Sequence, residues 1–217
     1  MCGITGFFNN NPSNLLEQLN VMSNAIKHRG PDQSGHYISK SNQLYIAHQR
    51  LSIIDLTDAG KQPMSSGCGK FVIAFNGEIY NFEELRSELE SNHSVMWRGH
   101  SDTEVLVECI AKWGIDNTLV KLNGMFAFPL YDIEENKLFL ARYRFGEKPL
   151  YIFSDNNSFV FASELKPIEL FTKNLTLNHS AVDAQLRFSY IPAPYSIYNE
   201  VFKLLPGHSL EVDLNDF

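Results

Sequence analysis

Apolar residues change their repeat several times along the chain. Residues 3–8 read as a short apolar strand. Leu15, Leu19, Met22 and Ile26 then recur at spacings of four, three and four, which is one face of a helix. That helix is expected to stop at His28-Arg29-Gly30-Pro31, with the glycine as a left-handed cap and the proline blocking continuation. Strands are predicted over 43–52 and 70–76, separated by a loop around 60–69. Asn81 and Glu84 have capping-box spacing, which predicts a helix to about Glu90. A second helix is predicted from Asp102, with Val105, Leu106, Cys109, Ile110 and Trp113 on one side, ending at Gly114. Strand-like runs follow at 125–131, 138–143, 150–153 and 159–162.

Strands dominate the middle of the chain without strict alternation with helices. This favours a layered α+β fold over a doubly wound parallel sheet. Gly146, Pro149 and Asp155-Asn156-Asn157-Ser158 read as turns. Pro129 falls inside a strand-like run, so an edge strand or a bulge is expected there. From about residue 173 the pattern loosens, with Pro192-Ala193-Pro194 as an extended linker and Pro206-Gly207 as a turn.

Composition narrows the function classes. The 217 residues allow one large domain or two small ones, and 44% hydrophobic with 20% charged residues is ordinary for a folded protein. Sixteen Phe and nine Tyr favour strands and a well-filled core. A net charge of −7 gives no electrostatic support for nucleic-acid binding. No apolar run approaches the ~18 residues of a membrane span, and no signal peptide is visible, so a cytoplasmic location without membrane partners is expected. Three widely spaced cysteines argue against a disulfide framework. The seven histidines show no metal-ligand spacing, so no metal site is expected. Cys109 reads as core and Cys68, between Gly67 and Gly69, as a loop residue.

Cys2 is the first candidate for chemistry. A small second residue permits removal of the initiator Met, which would leave a thiol and a free α-amine on one residue. That amine has an unperturbed pKa of ~7.7–8.0, suited to base work near neutrality. Thiolate and amine then form a self-contained nucleophile and base. Taken singly, each candidate has a plainer reading: Cys2 as a buried strand residue, Arg50 as an ion-pair partner, Asp102 as a helix cap, Asn76-Gly77 as a hairpin turn. Their joint occurrence carries the inference.

Five segments occur in order: Cys2-Gly3-Ile4-Thr5-Gly6, His28-Arg29-Gly30-Pro31-Asp32, His48-Gln49-Arg50-Leu51-Ser52-Ile53-Ile54-Asp55, Asn76-Gly77-Glu78-Ile79-Tyr80-Asn81 and Gly99-His100-Ser101-Asp102-Thr103-Glu104. Together with Gly124-Met125-Phe126-Ala127-Phe128 and Gly146-Glu147-Lys148-Pro149-Leu150-Tyr151, they resemble the glutaminase domain of class II glutamine amidotransferases, in the asparagine synthetase branch. The resemblance implies the four-layer αββα sandwich of N-terminal-nucleophile hydrolases. It implies that Cys2 attacks the side-chain amide of L-glutamine, that Asn76 and the Gly77 N–H receive the oxyanion, and that Arg50 grips the α-carboxylate. Asp102, with Glu78 nearby, would hold the α-ammonium, and Leu51, Ile54 and Ser101 would complete the substrate site.

The same resemblance sets a domain expectation: a glutaminase domain over 2–172, then an extension over 173–217 toward a synthetase domain. A serine-glycine-glycine pyrophosphate loop does not occur in the sequence, so ATP and magnesium are expected only in such a further domain, with no cofactor here. The expected partners are glutamine and a synthetase domain or subunit, with room for a homodimer. Two positions depart from the family pattern. Tyr143 stands where an aspartate is usual and Pro129 where a small or apolar residue is usual, and both are expected to weaken the later strands or the interface to a synthetase domain. Two other readings stay open: a non-catalytic glutamine-binding or docking fragment, and an amidotransferase subunit serving a sugar carboxylate in polysaccharide assembly.

Overall fold

The computed structural model describes residues 1–11, 15–41 and 43–217. Two six-stranded sheets form the centre. The first runs β11 (Val201–Lys203), β9 (Tyr151–Ser154), β10 (Ser158–Ala162), β1 (Gly3–Asn9), β3 (Leu44–Arg50), β2 (Gln33–Ile38). The second runs β12 (Ser209–Asp213), β8 (Lys137–Arg142), β7 (Gly124–Asp132), β5 (Phe71–Ile73), β4 (Met64–Ser65), with β6 (Asn76–Ile79) also paired to β7. All these pairings are antiparallel.

Side chains that alternate across each strand fill three apolar layers. Phe8, Leu44 and Ile46 of the first sheet meet Val72, Ala127 and Leu140 of the second, forming the layer between the sheets. Phe7 and Tyr45 point the other way, against Leu19 and Met22 of α1 (Leu16–Ala25) and Ile168 of α5 (Leu165–Phe171). On the far side, Phe75, Phe126 and Phe128 pack against Leu85 and Leu89 of α2 (Phe82–Asn92) and the buried face of α3 (Asp102–Trp113). The order is therefore helix, sheet, sheet, helix, the expected αββα sandwich. With both faces of β1 covered, Gly3–Asn9 has no polar alternation, which is why its sequence is a near-continuous apolar run.

Several local expectations are corrected. Gly30 is not a left-handed cap: its φ is −152°, and glycine is needed because a Cβ would lie 2.3 Å from the Gln49 carbonyl oxygen. The Asn81 side chain does not cap α2; it accepts from Asn123 N (2.9 Å) and donates to Lys121 O (3.0 Å), tying two loops together. The cap of α3 is Ser101, whose Oγ accepts from Glu104 N, so Asp102 is free for other bonds. Pro129 is at neither an edge nor a bulge, since β7 lies inside the second sheet and the register runs unbroken from Ile73–Leu130 to Asn76–Ala127. Ala74 N still donates to Pro129 O at 3.1 Å, so the missing proline N–H removes one ladder bond only. Tyr143 is buried against Phe126, with ring centroids 5.0 Å apart, and belongs to the helix-side core rather than loosening it.

The elements missed in the sequence are the polar edge strand β2, the short β4, β6 beyond Asn76, α4 (Ile115–Lys121), α5, α6 (His179–Phe188), β11 and β12. The last two alter the reading of 173–217. That segment places β11 at one end of the first sheet and β12 at one end of the second, and buries Leu204 and Leu214 between the sheets. Burying a leucine contributes about 1.5–3 kcal/mol. A chain ending at residue 172 is therefore expected to lose at least about 3–6 kcal/mol. Its thermal unfolding should be lower and broader than that of the full chain.

Candidate active site

The β1–β3 register sets the first half of the site. Gly3 pairs with Gln49, so Cys2, just before β1, lies beside Arg50 and Leu51 at the end of β3. The Leu51 N–H points at Cys2 Sγ at 3.5 Å, and Arg29 Nε holds the Cys2 carbonyl at 2.9 Å. Burial raises the Cys2 thiol above its ordinary pKa, against the opposing pull of the Leu51 amide, the chain's N-terminal charge and Arg50. Met1 is present at the cavity mouth, so Cys2 nitrogen is an amide in this chain.

Arg50 is buried and makes no ion pair among the described residues. Its guanidinium is oriented by neutral oxygens: Gln33 Oε1 and Thr57 O, each at 3.2 Å, and Asp55 O. Gly60 lies close beside it, where a Cβ would meet the Arg50 guanidinium. Asp55 fixes the loop that does this. Burial alone would raise its pKa, but bonds from Thr57 and the His100 amide outweigh burial and hold it at about 2.

The second half comes from β6 and the start of α3. Asn76 is buried, and neither its Oδ1 nor its Nδ2 has a hydrogen-bond partner. Few buried amides are left so. Gly77 is pressed against β7, where a Cβ would lie 2.3 Å from Met125 O. Asp102 accepts from Ile79 N at 3.0 Å and Thr103 N at 2.8 Å. Burial pushes its carboxyl up to about 6 despite those bonds, with Glu78 adding to the rise.

Cys2, Arg50, Leu51, Ile54, Asn76, Gly77, Glu78, Ser101 and Asp102 all line one cavity of about 120 Å³. Every residue singled out in the sequence is therefore brought together there. Lys148, Gln62, Gly60 and Thr103 also line it and were missed as site residues. Lys148 stood inside a quoted motif without a role, and Gln62 lay in the loop expected around 60–69. Among the described residues no cluster of His, Cys, Asp or Glu is arranged to hold a metal, and no helix is long and apolar enough to cross a membrane.

Residues 1–217 match the family model described as Glutamine amidotransferase domain. The chain belongs to the glutamine amidotransferase family. It is 36% identical, over 99% of its length, to a putative asparagine synthetase [glutamine-hydrolyzing] 2 of Methanocaldococcus jannaschii, covering 44% of that protein. It is also 36% identical, over 98% of its length, to asparagine synthetase [glutamine-hydrolyzing] 1 of Bacillus subtilis, covering 33% of it. The chain thus spans less than half the length of these curated relatives. Among solved structures, the allosteric regulatory enzyme of purine biosynthesis shares the fold, with a TM-score of 0.70 over 99% of this chain and 47% of the other at 21% identity. The glutamine phosphoribosylpyrophosphate amidotransferase of Bacillus subtilis does so with a TM-score of 0.65 over 78% of this chain and 43% of the other, also at 21% identity. These likenesses show that the αββα sandwich fold is shared.

The partnerless Asn76 amide carries a stability cost. A buried polar group without a partner costs roughly 1–3 kcal/mol. Asn76→Leu, similar in shape and apolar, is expected to stabilise the fold by about that amount, read as a rise in denaturant midpoint with an unchanged slope.

Proposed function

We propose that this chain hydrolyses L-glutamine to glutamate and ammonia through a thioester on Cys2. The observation that carries the reading is the partnerless Asn76 amide facing the same cavity as the Cys2 thiol. Removal of Met1 leaves the α-amine of Cys2, which takes the thiol proton as sulfur attacks the glutamine amide carbon. The carbonyl oxygen becomes an oxyanion, received by Asn76 Nδ2 and Gly77 N–H; one such donor is worth ~2.7–4 kcal/mol of barrier. The amine then protonates the leaving nitrogen, the C–N bond breaks, and ammonia departs. Water attacks the thioester, the amine again serving as base, and glutamate is released with the thiol restored.

The two charged ends of the cavity suit a zwitterion. Arg50, presented by neutral oxygens, has its charge available for the α-carboxylate through two parallel bonds. Asp102 and Glu78 face the α-ammonium, with Leu51, Ile54 and Ser101 completing the wall. The ammonia is destined for asparagine formation in a synthetase domain or subunit, a reading supported by the names of the relatives.

Glutamate production compared with a Cys2→Ala blank tests this. The full chain is expected to exceed the blank, with Met1 absent by intact mass and with no change on adding ATP, magnesium and aspartate. A glutamine-shaped electrophile should label Cys2 and spare Cys109, whose thiol burial pushes up to about 12, and Cys68, which lies on an exposed turn away from the site. Labelling at all three cysteines alike, or glutamate at the blank level, would reject the assignment.

A pH profile gives a second check. Asp102 must be ionised to hold an ammonium, and its pKa of about 6 lies above the usual carboxylate value. kcat/KM, which reports the free enzyme, is expected to fall toward tenfold per unit as pH drops below about 6. The stability linkage has the opposite sense. The folded state binds this proton more tightly than the unfolded chain, so the contribution of Asp102 to stability is lost as pH rises from about 4 to 6.

A further inference from the structure

The residue before Asn76 is held in an unusual way. The polar groups of Phe75 face away from β7, on the side where β4 would have to continue. Extending the β4–β5 register, Met64 with Ile73 and Ser65 with Val72, puts Gln62 level with Phe75. No strand is formed there. Instead Gln62 Oε1 accepts from Phe75 N at 2.6 Å, and His48 Nε2 lies 3.0 Å from Phe75 O. A carbonyl can only accept, so the proton sits on Nε2, and burial keeps this histidine neutral by lowering its pKa to about 4. Both polar groups of the Phe75 backbone are thus satisfied by buried side chains from other elements.

Gln62 reaches further. Its Nε2 donates to Thr103 Oγ1 at 3.2 Å, and Thr103 N and Oγ1 contact Asp102 Oδ1 at 2.8 and 3.4 Å. Asp102 Oδ2 in turn accepts from Ile79 N at the other end of β6. The segment 75–79 is consequently tied to the start of α3 at both ends, through Gln62 before Asn76 and through Asp102 after Glu78.

We propose that Gln62 is a positioning residue: by clamping Phe75 to Thr103 it holds Asn76 and Gly77 at the distance an oxyanion requires from Cys2. The inference rests on the glutaminase reading and adds to it a residue that touches no reacting atom. Its consequence falls on the transition state. Oxyanion bonds strengthen only as the tetrahedral adduct forms, so a shifted Asn76 lowers kcat and leaves ground-state binding nearly intact. Displacement of a catalytic group by about 1 Å can cost on the order of 100-fold.

The test uses the full chain with Gln62→Met, which keeps length but removes both bonds, and Gln62→Glu, which can accept from Phe75 N and from the Thr103 hydroxyl. Gln62→Met is expected to lower kcat for glutamine ~10–100-fold with KM within about threefold, and to speed amide exchange at Phe75, Asn76 and Gly77. Gln62→Glu should recover most of the lost kcat. If Gln62→Met does not fold, Thr103→Val, which removes the hydroxyl that anchors Nε2 along with its longer contact to Asp102 Oδ1 but leaves the Thr103 N bond to Asp102, should lower kcat about 3–10-fold. A rise in KM alone, or unchanged kcat and unchanged exchange, would overturn the proposal. A parent chain with no turnover above the Cys2→Ala blank would reject the glutaminase reading itself; the exchange comparison would then decide by itself whether Gln62 holds the segment.

Discussion

The structure depends on burying the chain's first strand in the interior of a sheet. β1 is paired along its length on both sides, with β10 and β3, and is covered above and below. The fit is tight at Gly6, where a Cβ would lie 2.3 Å from the Phe161 ring and 2.5 Å from Tyr45 O. An N-terminus ordinarily frays. Here the ladder bonds of β1, together with Arg29 on the Cys2 carbonyl, fix a residue that would otherwise be among the most mobile. Such an arrangement gives the proposed nucleophile at position two a defined geometry.

Around that fixed point the charges are arranged unevenly. Arg50 is surrounded by neutral oxygens and keeps its charge unspent, whereas Asp102 is held up at about 6 by burial and has two backbone amides as partners. Neither group is compensated by the other. Buried charges without ion pairs are costly. They are tolerable where a ligand of matching charge completes them, as Asn76 is tolerable where an oxyanion would form.

Much of this was legible in the sequence, for identifiable reasons. The helices α1 and α3 show themselves by spacing, and the strands by apolar runs. The site residues were recognised from ordered segments rather than from periodicity. What escaped notice lay where tertiary context decides. β2 is a half-exposed edge strand of Gln, Ser, Gly and His, with no local signal. Pro129 suggested an edge, yet in the interior it forgoes only one bond. Asn81 and Glu84 have the spacing of a capping box, but the Asn81 side chain is taken by Asn123 and Lys121. Gln62 gave no sign at all, because its importance comes from a partner thirteen residues away and another on a helix.

The passage from β11 to β12 has a mechanical meaning. β11 pairs with β9 in one sheet and β12 with β8 in the other, and only residues 204–208 join them. That stretch reaches at most roughly 20 Å, about twice the ~10 Å between packed sheets. It is also anchored at its start: Leu204 N donates to Leu150 O, Arg142 Nη1 donates to Leu204 O, and the leucine side chain enters the layer between the sheets. Two β layers held mainly by apolar contact can slide over one another. Cys2 belongs to one layer and Asn76 to the other, so any slip would change the gap that the chemistry spans. The short crossover acts as a rivet against shear, and the distance between the Cys2 thiol and the Asn76 amide becomes a property of the whole sandwich.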